Sequence, residues 1–191
     1  MLINELKSFL AGATAELSKE QRVLYCIYCT EKIIDLYRPV VDKYHFGDFQ
    51  LVRKMADDVW NSLLNYSTFS GQLRRHWVPD GDDYPGMESA LAMNVCICLD
   101  AAIDDHSDAH NAGIYVYDTI CQIVFSKRPD QRELSASFLQ EVDQLPVVQN
   151  EIADQRRVIA MIKSSLPDPV LIAKLREQAV IKRYTLENIA I

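Results

Sequence analysis

From Ala90 to Leu99 every residue except Asn94 is apolar. A helix that is apolar all round belongs inside a protein or a bilayer. This run is about half the length that a membrane span requires. It therefore predicts a buried helix near residues 88–104, with the remaining elements packed around it. The expected fold is all-α: a multi-helix bundle forming a single domain over residues 1–191.

Helical periodicity continues on both sides of that segment. Leu2–Leu10 predicts a short amphipathic helix. Ser18-Lys19-Glu20-Gln21 reads as a capping box, in which the Ser18 hydroxyl and the Gln21 side chain satisfy orphan amides at a helix start. Val23, Ile27, Ile34, Tyr37 and Val41 share one face of the helix that follows. Pro39 should kink or divide it, because proline lacks an amide donor and clashes with the preceding turn. Within Phe46-Gly47-Asp48, Gly47 supplies a permissive turn and Asp48 is placed to cap the next helix. That helix should bury Val52, Met55, Val59 and Leu63 beside Ala56 and Trp60.

Thr68–Trp77 predicts another short helix, and residues 79–86 the clearest loop. Ile114–Phe125 includes strand-prone Ile-Tyr-Val-Tyr, yet Ile114, Tyr117, Cys121 and Val124 keep helical spacing and predict a helix. Pro129, Pro146 and Pro169 suit the first turns of three more helices, with Asp168 as an N-cap before the last. No repeat or linker divides the chain.

The 49% apolar content suffices for a core, and the 25% charged content is that of a globular protein. The net charge of −7 is unevenly placed. Between His76 and Ser126 there is no Lys or Arg, but there are nine acids, among them Asp80, Asp82, Asp83, Glu88, Asp100 and Asp118. The rest of the chain carries 18 acids against 20 bases. Such a distribution excludes a general nucleic-acid binder, which needs a basic face. It suits either a cationic partner or a solvated acidic face. No signal peptide and no membrane span are expected. The five cysteines, an odd number in apolar surroundings, suit buried thiols in a reducing compartment, so a cytoplasmic location is expected.

Several constellations carry candidate chemistry. Asp104-Asp105-His106-Ser107-Asp108-Ala109-His110 holds the residue types of a metal site. On one continuous helix, however, Asp104 and Asp108 share a face and His106 and His110 share nearly the opposite one. A polar helix junction, with Ser107 or Asp108 capping the next helix, is the simpler expectation. Asp80-Gly81-Asp82-Asp83 resembles a calcium loop, but Pro85 and Leu91 stand where that loop needs Gly and Glu. Cys26-x-x-Cys29 and Cys96-x-Cys98 fall within predicted helices, away from the turns that zinc or redox pairs use. Glu31/Asp35 and Glu151/Asp154 are helically spaced carboxylates without the Glu-x-x-His pairs of a di-iron site. Arg74-Arg75-His76-Trp77 is too short for a nucleic-acid surface. The Gly-x-Ser-x-Gly, phosphate-loop and His-Glu-x-x-His motifs are missing, and no cofactor is expected.

Cys29-Thr30-Glu31, Tyr37, Phe46-Gly47-Asp48-x-Gln50, Arg53, Asp57 and Trp60 occur in an order that resembles the YjaG-like family of bacterial proteins, a domain of unknown function. The likeness continues through Asp82-Asp83-Tyr84 and Ala92-x-x-x-Cys96-x-x-Leu99 to Asn188-Ile189-Ala190-Ile191. It covers nearly the whole chain. The resemblance implies an all-α fold and a cytosolic bacterial protein, and brings no catalytic residues. Asn94 stands where members often have Asp, and the Asp104–His110 cluster lies outside the family pattern. Turn, cap and core explain Gly47, Asp48 and Trp60. Glu31, Arg53 and Asp57 suggest either an ion-pair bridge between helices or, with Asn94, a polar pocket.

Together these features predict a non-catalytic helical binding protein whose acidic middle third engages a basic protein partner through Asp80, Asp82, Asp83, Tyr84 and Glu88. An immunity-type protein that neutralises a basic toxin is one concrete form. The alternative is a metal-dependent hydrolase using Asp104, Asp105, His106, Asp108 and His110 around a metal-bound water. The apolar Ile114–Phe125 stretch would also suit a homodimer interface.

Overall fold

Caps and prolines divide the chain into helices. The computed structural model describes residues 2–67, 78–80, 82–104, 108–128 and 135–189. It contains α1 (Leu2–Ala15), α2 (Lys19–Ile33), a 3-10 turn (Ile34–Tyr37), α3 (Arg38–Tyr44) and α4 (Phe49–Leu64). After these come α5 (Met87–Asp104), α6 (Ala109–Ser126), α7 (Ala136–Asp143), α8 (Pro146–Ser164) and α9 (Pro169–Ile181). Among the described residues there is no strand, and no helix is long and apolar enough to cross a membrane.

Ser18 and Gln21 form both arms of the capping box that starts α2. Asp48, Ser135 and Asp168 each accept the backbone amide three residues on, which starts α4, α7 and α9. Pro39 lies in the first turn of α3 and divides that stretch: α2 ends, the 3-10 turn intervenes, and α3 begins. Gly47 has a φ of +76°, against the Tyr37 hydroxyl, where a side chain would be both strained and blocked. The first helix runs to Ala15 rather than Leu10, because the alanine-rich extension favours helix. Asp108 occupies the N-cap position of α6 but makes no capping bond with its side chain. The predicted Thr68–Trp77 helix and the helix start at Pro129 lie outside the described residues.

As its composition requires, α5 is buried along most of its length, packed on α2, α6 and the 3-10 turn. It shares the centre with α2, which touches α4, α5, α6, α8 and α9. From Leu24 to Ile33 every residue of α2 is buried, including Thr30, Glu31 and Lys32. Helix α6 packs on both, and its close approach to α2 and α8 is at Gly113. Its carbonyl accepts from Gln155 Nε2 at 2.9 Å, and a Cβ built there would fall on the Tyr25 hydroxyl and Gln155 Oε1. Gly113→Ala should therefore destabilise the fold by about 1–3 kcal/mol, the usual range for overpacking. Urea denaturation of the variant checks this; an unchanged midpoint would mean that α6 can back away from α2 and α8.

Candidate functional site

On α2, Gln21, Tyr25, Tyr28 and Lys32 recur at helical spacing and make one polar stripe along a buried face. Helix α8 lies antiparallel to it and answers each residue in turn. Gln21 Nε2 donates to the Ile162 carbonyl at 2.7 Å, and the Tyr25 hydroxyl to Gln155 Oε1 at 2.9 Å. The Tyr28 hydroxyl donates to Asp154 Oδ2 at 2.6 Å. Lys32 Nζ, whose side chain is 1% exposed, pairs with Glu151 and, at 3.0 Å, with Asp154. The segment after α9 completes the cluster. Tyr184 donates its hydroxyl to Glu151 at 2.6 Å and its amide to the Lys32 carbonyl at 2.7 Å, satisfying an orphan acceptor at the end of α2. Lys182 and Arg157 both bind Asp154 Oδ1.

One residue earlier, Glu31 points about 100° away around the helix. Arg53 of α4 grips it with two bonds of 2.8 Å, Trp60 Nε1 donates at 3.0 Å, and Arg183 adds a further ion pair. Arg53 also holds Asp57 at 2.7 Å, and Arg176 of α9 reaches the same carboxylate. Glu31, Arg53 and Asp57 are thus brought together as an inter-helix bridge. Asn94 is not with them: it donates to Thr119 at 3.0 Å, between α5 and α6. Sequence reasoning missed Lys32, Arg176, Lys182, Arg183 and Tyr184. The only signal was the Gln21/Tyr25/Tyr28/Lys32 spacing, a polar stripe on a helix that also carries apolar residues.

The electrostatics follow from burial and partners. Burial would raise the Glu31 carboxyl, but Arg53 and Arg183 outweigh it and hold the group below its ordinary value. Asp154 is likewise raised by burial and lowered further by Lys32, Lys182, Tyr28 and Arg157, so it sits well below the usual carboxylate range. Burial would depress Lys32, yet Glu151 and Asp154 lift it above the ordinary lysine value. Each shift moves the group away from neutrality, opposite to what acid–base catalysis near pH 7 asks for.

The acidic loop lies elsewhere. Asp80, Asp82 and Asp83 are exposed, and Asp80 Oδ1 accepts the Asp82 amide at 2.9 Å. Tyr84 packs on Tyr44 and Phe46, with ring centroids 5.6 and 4.6 Å away. The Tyr44 hydroxyl donates to the Pro85 carbonyl at 2.7 Å, and Glu88 pairs with Lys43 at 3.0 Å. Of the candidate metal ligands, Asp105 and His106 lie outside the described residues. Asp104 and Asp108 are exposed where α5 ends and α6 begins, and His110 lines a small cleft with Lys7, Asn111 and Asp118. Among the described residues no three His, Cys, Asp or Glu side chains gather as a metal site. All five cysteines are buried free thiols. Burial raises Cys29 and Cys98 and pushes Cys96 and Cys121 up to about 12, which suppresses thiolate chemistry.

Lys32→Met should destabilise the protein by about 3–5 kcal/mol, because it strands buried carboxylates. Chemical denaturation reads this directly, and a cost near zero would mean that Lys182 and Arg157 suffice. The lowered groups also set a pH dependence. Glu31 and Asp154 contribute fully above their unfolded values of about 4, and that contribution disappears as pH falls through the lower folded values. Lys32 has the opposite sign and keeps its contribution throughout this acid range. Stability of Asp154→Asn should accordingly fall less steeply than wild type on acidification; parallel curves would contradict the assignment.

Residues 12–191 match the family described as "Protein of unknown function (DUF416)". The crystal structure of a DUF416 family protein from Shewanella baltica OS155, at 1.91 Å resolution, is similar over 95% of this chain and 98% of that one. The TM-score is 0.74 at 15% sequence identity, which shows a common fold. No curated protein matches the chain. With nearly its whole length matched, the chain belongs to the DUF416 family, whose function is unknown.

Proposed function

We propose that this is a cytoplasmic, YjaG-like bacterial protein that acts as a non-catalytic binding protein, docking a basic protein on its acidic loop. The observation that carries the reading is the combination of exposed carboxylates with a fixed frame. Asp80, Asp82 and Asp83 are exposed, while Tyr84, Tyr44 and Phe46 form a half-buried aromatic cluster beneath them. Two further contacts, Tyr44 to Pro85 and Lys43 to Glu88, tie α3 to the loop and to the start of α5. A surface already ordered before binding loses less entropy on association, and aromatic residues are enriched at interfaces. The carboxylates of the buried clusters, by contrast, are taken up by internal cations. Neutralisation of a basic toxin is the form of docking that such a small acidic helical protein suits best.

Charge reversal of Asp80, Asp82 and Asp83 to Lys tests the proposal. Immobilised wild-type protein should capture basic proteins from a bacterial lysate at low salt and release them at high salt. The triple variant should capture them at least about tenfold less, since opposed like charges cost several kcal/mol. Equal capture by both proteins would sink the docking reading. Elemental analysis of the same preparations addresses the hydrolase alternative: near-stoichiometric metal, lost in His110→Ala, would favour it.

A further inference from the structure

A cleft of about 790 Å³ opens between the start of α8 and the segment that follows α9. Lys32, Glu151 and Asp154 lie at its inner side, and Arg157, Lys182 and Arg183 surround them. Val147 and Ile181 add an apolar flank. The volume falls within the range of small-molecule sites.

The balance of donors and acceptors indicates what it can take. A carboxylate offers about four lone-pair sites. On Asp154 all are occupied, by Arg157 and Lys182 on one oxygen and by Lys32 and Tyr28 on the other. Glu151 already accepts from Lys32, Tyr184 and Gln155. Lys182 and Arg157, 41% and 40% exposed, each give a bond to Asp154, which has no lone pair left, and keep further N–H groups toward solvent. Arg183, by contrast, gives its two terminal nitrogens to Glu31 and Asp35, on the other side of the segment. Lys32, Arg157 and Lys182 thus face two carboxylates, Glu151 and Asp154, around this cleft, in a protein whose net charge is −7. An oxyanion makes strong, short bonds to such donors. Ile181 is 75% exposed at the rim, where an apolar group would cover it.

We infer that the cleft binds a small organic anion, its oxyanion head held by Arg157 and Lys182 and its compact apolar body resting on Ile181 and Val147. This site is separate from the acidic loop, so either reading can fail without the other. Phosphate esters and carboxylates share this oxyanion chemistry, and phenyl phosphate and phenylacetate represent the two.

Isothermal titration of the whole protein with each probe, and with inorganic phosphate as the head group alone, tests the inference. At least one organic probe should bind saturably at millimolar concentration or below, and more tightly than inorganic phosphate. Ile181→Glu places a carboxylate at the rim without removing a core contact, so its melting temperature should match wild type. Its affinity for the binding probe should drop by roughly tenfold or more. Lys182→Gln, which retains a donor to Asp154 but loses the charge, should weaken binding as well. Absence of saturable binding by either probe would overturn the inference. So would equal affinity for inorganic phosphate, or full affinity in Ile181→Glu.

Discussion

Two adjacent and opposite charges, Glu31 and Lys32, are buried in the last turn of α2. Neighbouring residues on a helix point about 100° apart, so these two cannot neutralise each other. Each ion loses several kcal/mol of hydration unless other segments supply its partners. Glu31 draws in α4 through Arg53 and Trp60, and Lys32 draws in α8 through Glu151 and Asp154. The segment after α9 must serve both sides. It does so by alternation: Lys182 and Tyr184 turn to Asp154 and Glu151, while Arg183 between them turns to Glu31. The path of the tail is thus set by where the buried charges need donors.

The same demand sets the register of α2 against α8. Gln21, Tyr25, Tyr28 and Lys32 each find a different acceptor along α8. A slide by one helical turn would leave Lys32 beside apolar or uncharged groups and Glu151 without its cation. Apolar side chains of similar volume would tolerate such a slide far better, since hydrophobic contact is non-directional. The polar stripe adds less to net stability than its number of bonds implies, because desolvation offsets much of it. What it contributes is one alignment in preference to its neighbours.

Local chemistry made much of the fold legible. Ser18, Asp48, Asp168, Pro39 and Pro146 act through atoms a few residues away, so a linear reading finds them. The apolar run of α5 is legible for a related reason: a helix with no polar face has one destination. The central role of α2 was hidden, because nothing close in the sequence ties Gln21 to more than its own cap, points from Glu31 to the tail, or marks Lys32 as inward. Their partners lie more than a hundred residues away in the chain, at Ile162, Arg183 and Glu151. Of the candidate site, the Glu31–Arg53–Asp57 set could be suspected because two of its members are one helical turn apart. Asn94 was misplaced because periodicity identifies a buried position without saying which neighbour it faces; its neighbour is Thr119. Lys182, Arg183 and Tyr184 follow the end of α9, where no periodicity exists to mark a residue as inward.

Saturating a buried carboxylate and neutralising it are different requirements. Asp154 needs donors for all its lone pairs, and three of the four it receives come from cations. Full hydrogen bonding is therefore reached with more positive charge than neutrality requires. The surplus cannot itself be buried without incurring the same desolvation cost again, so Arg157 and Lys182 stay at the rim of an open cleft, partly in water. Elsewhere in the fold no such demand acts on Asp80, Asp82 and Asp83, which lie exposed on an aromatic frame. The cationic character of the cleft is thus a consequence of how the interior was made dry. The cleft is where the fold leaves donors that only a solute or water can meet.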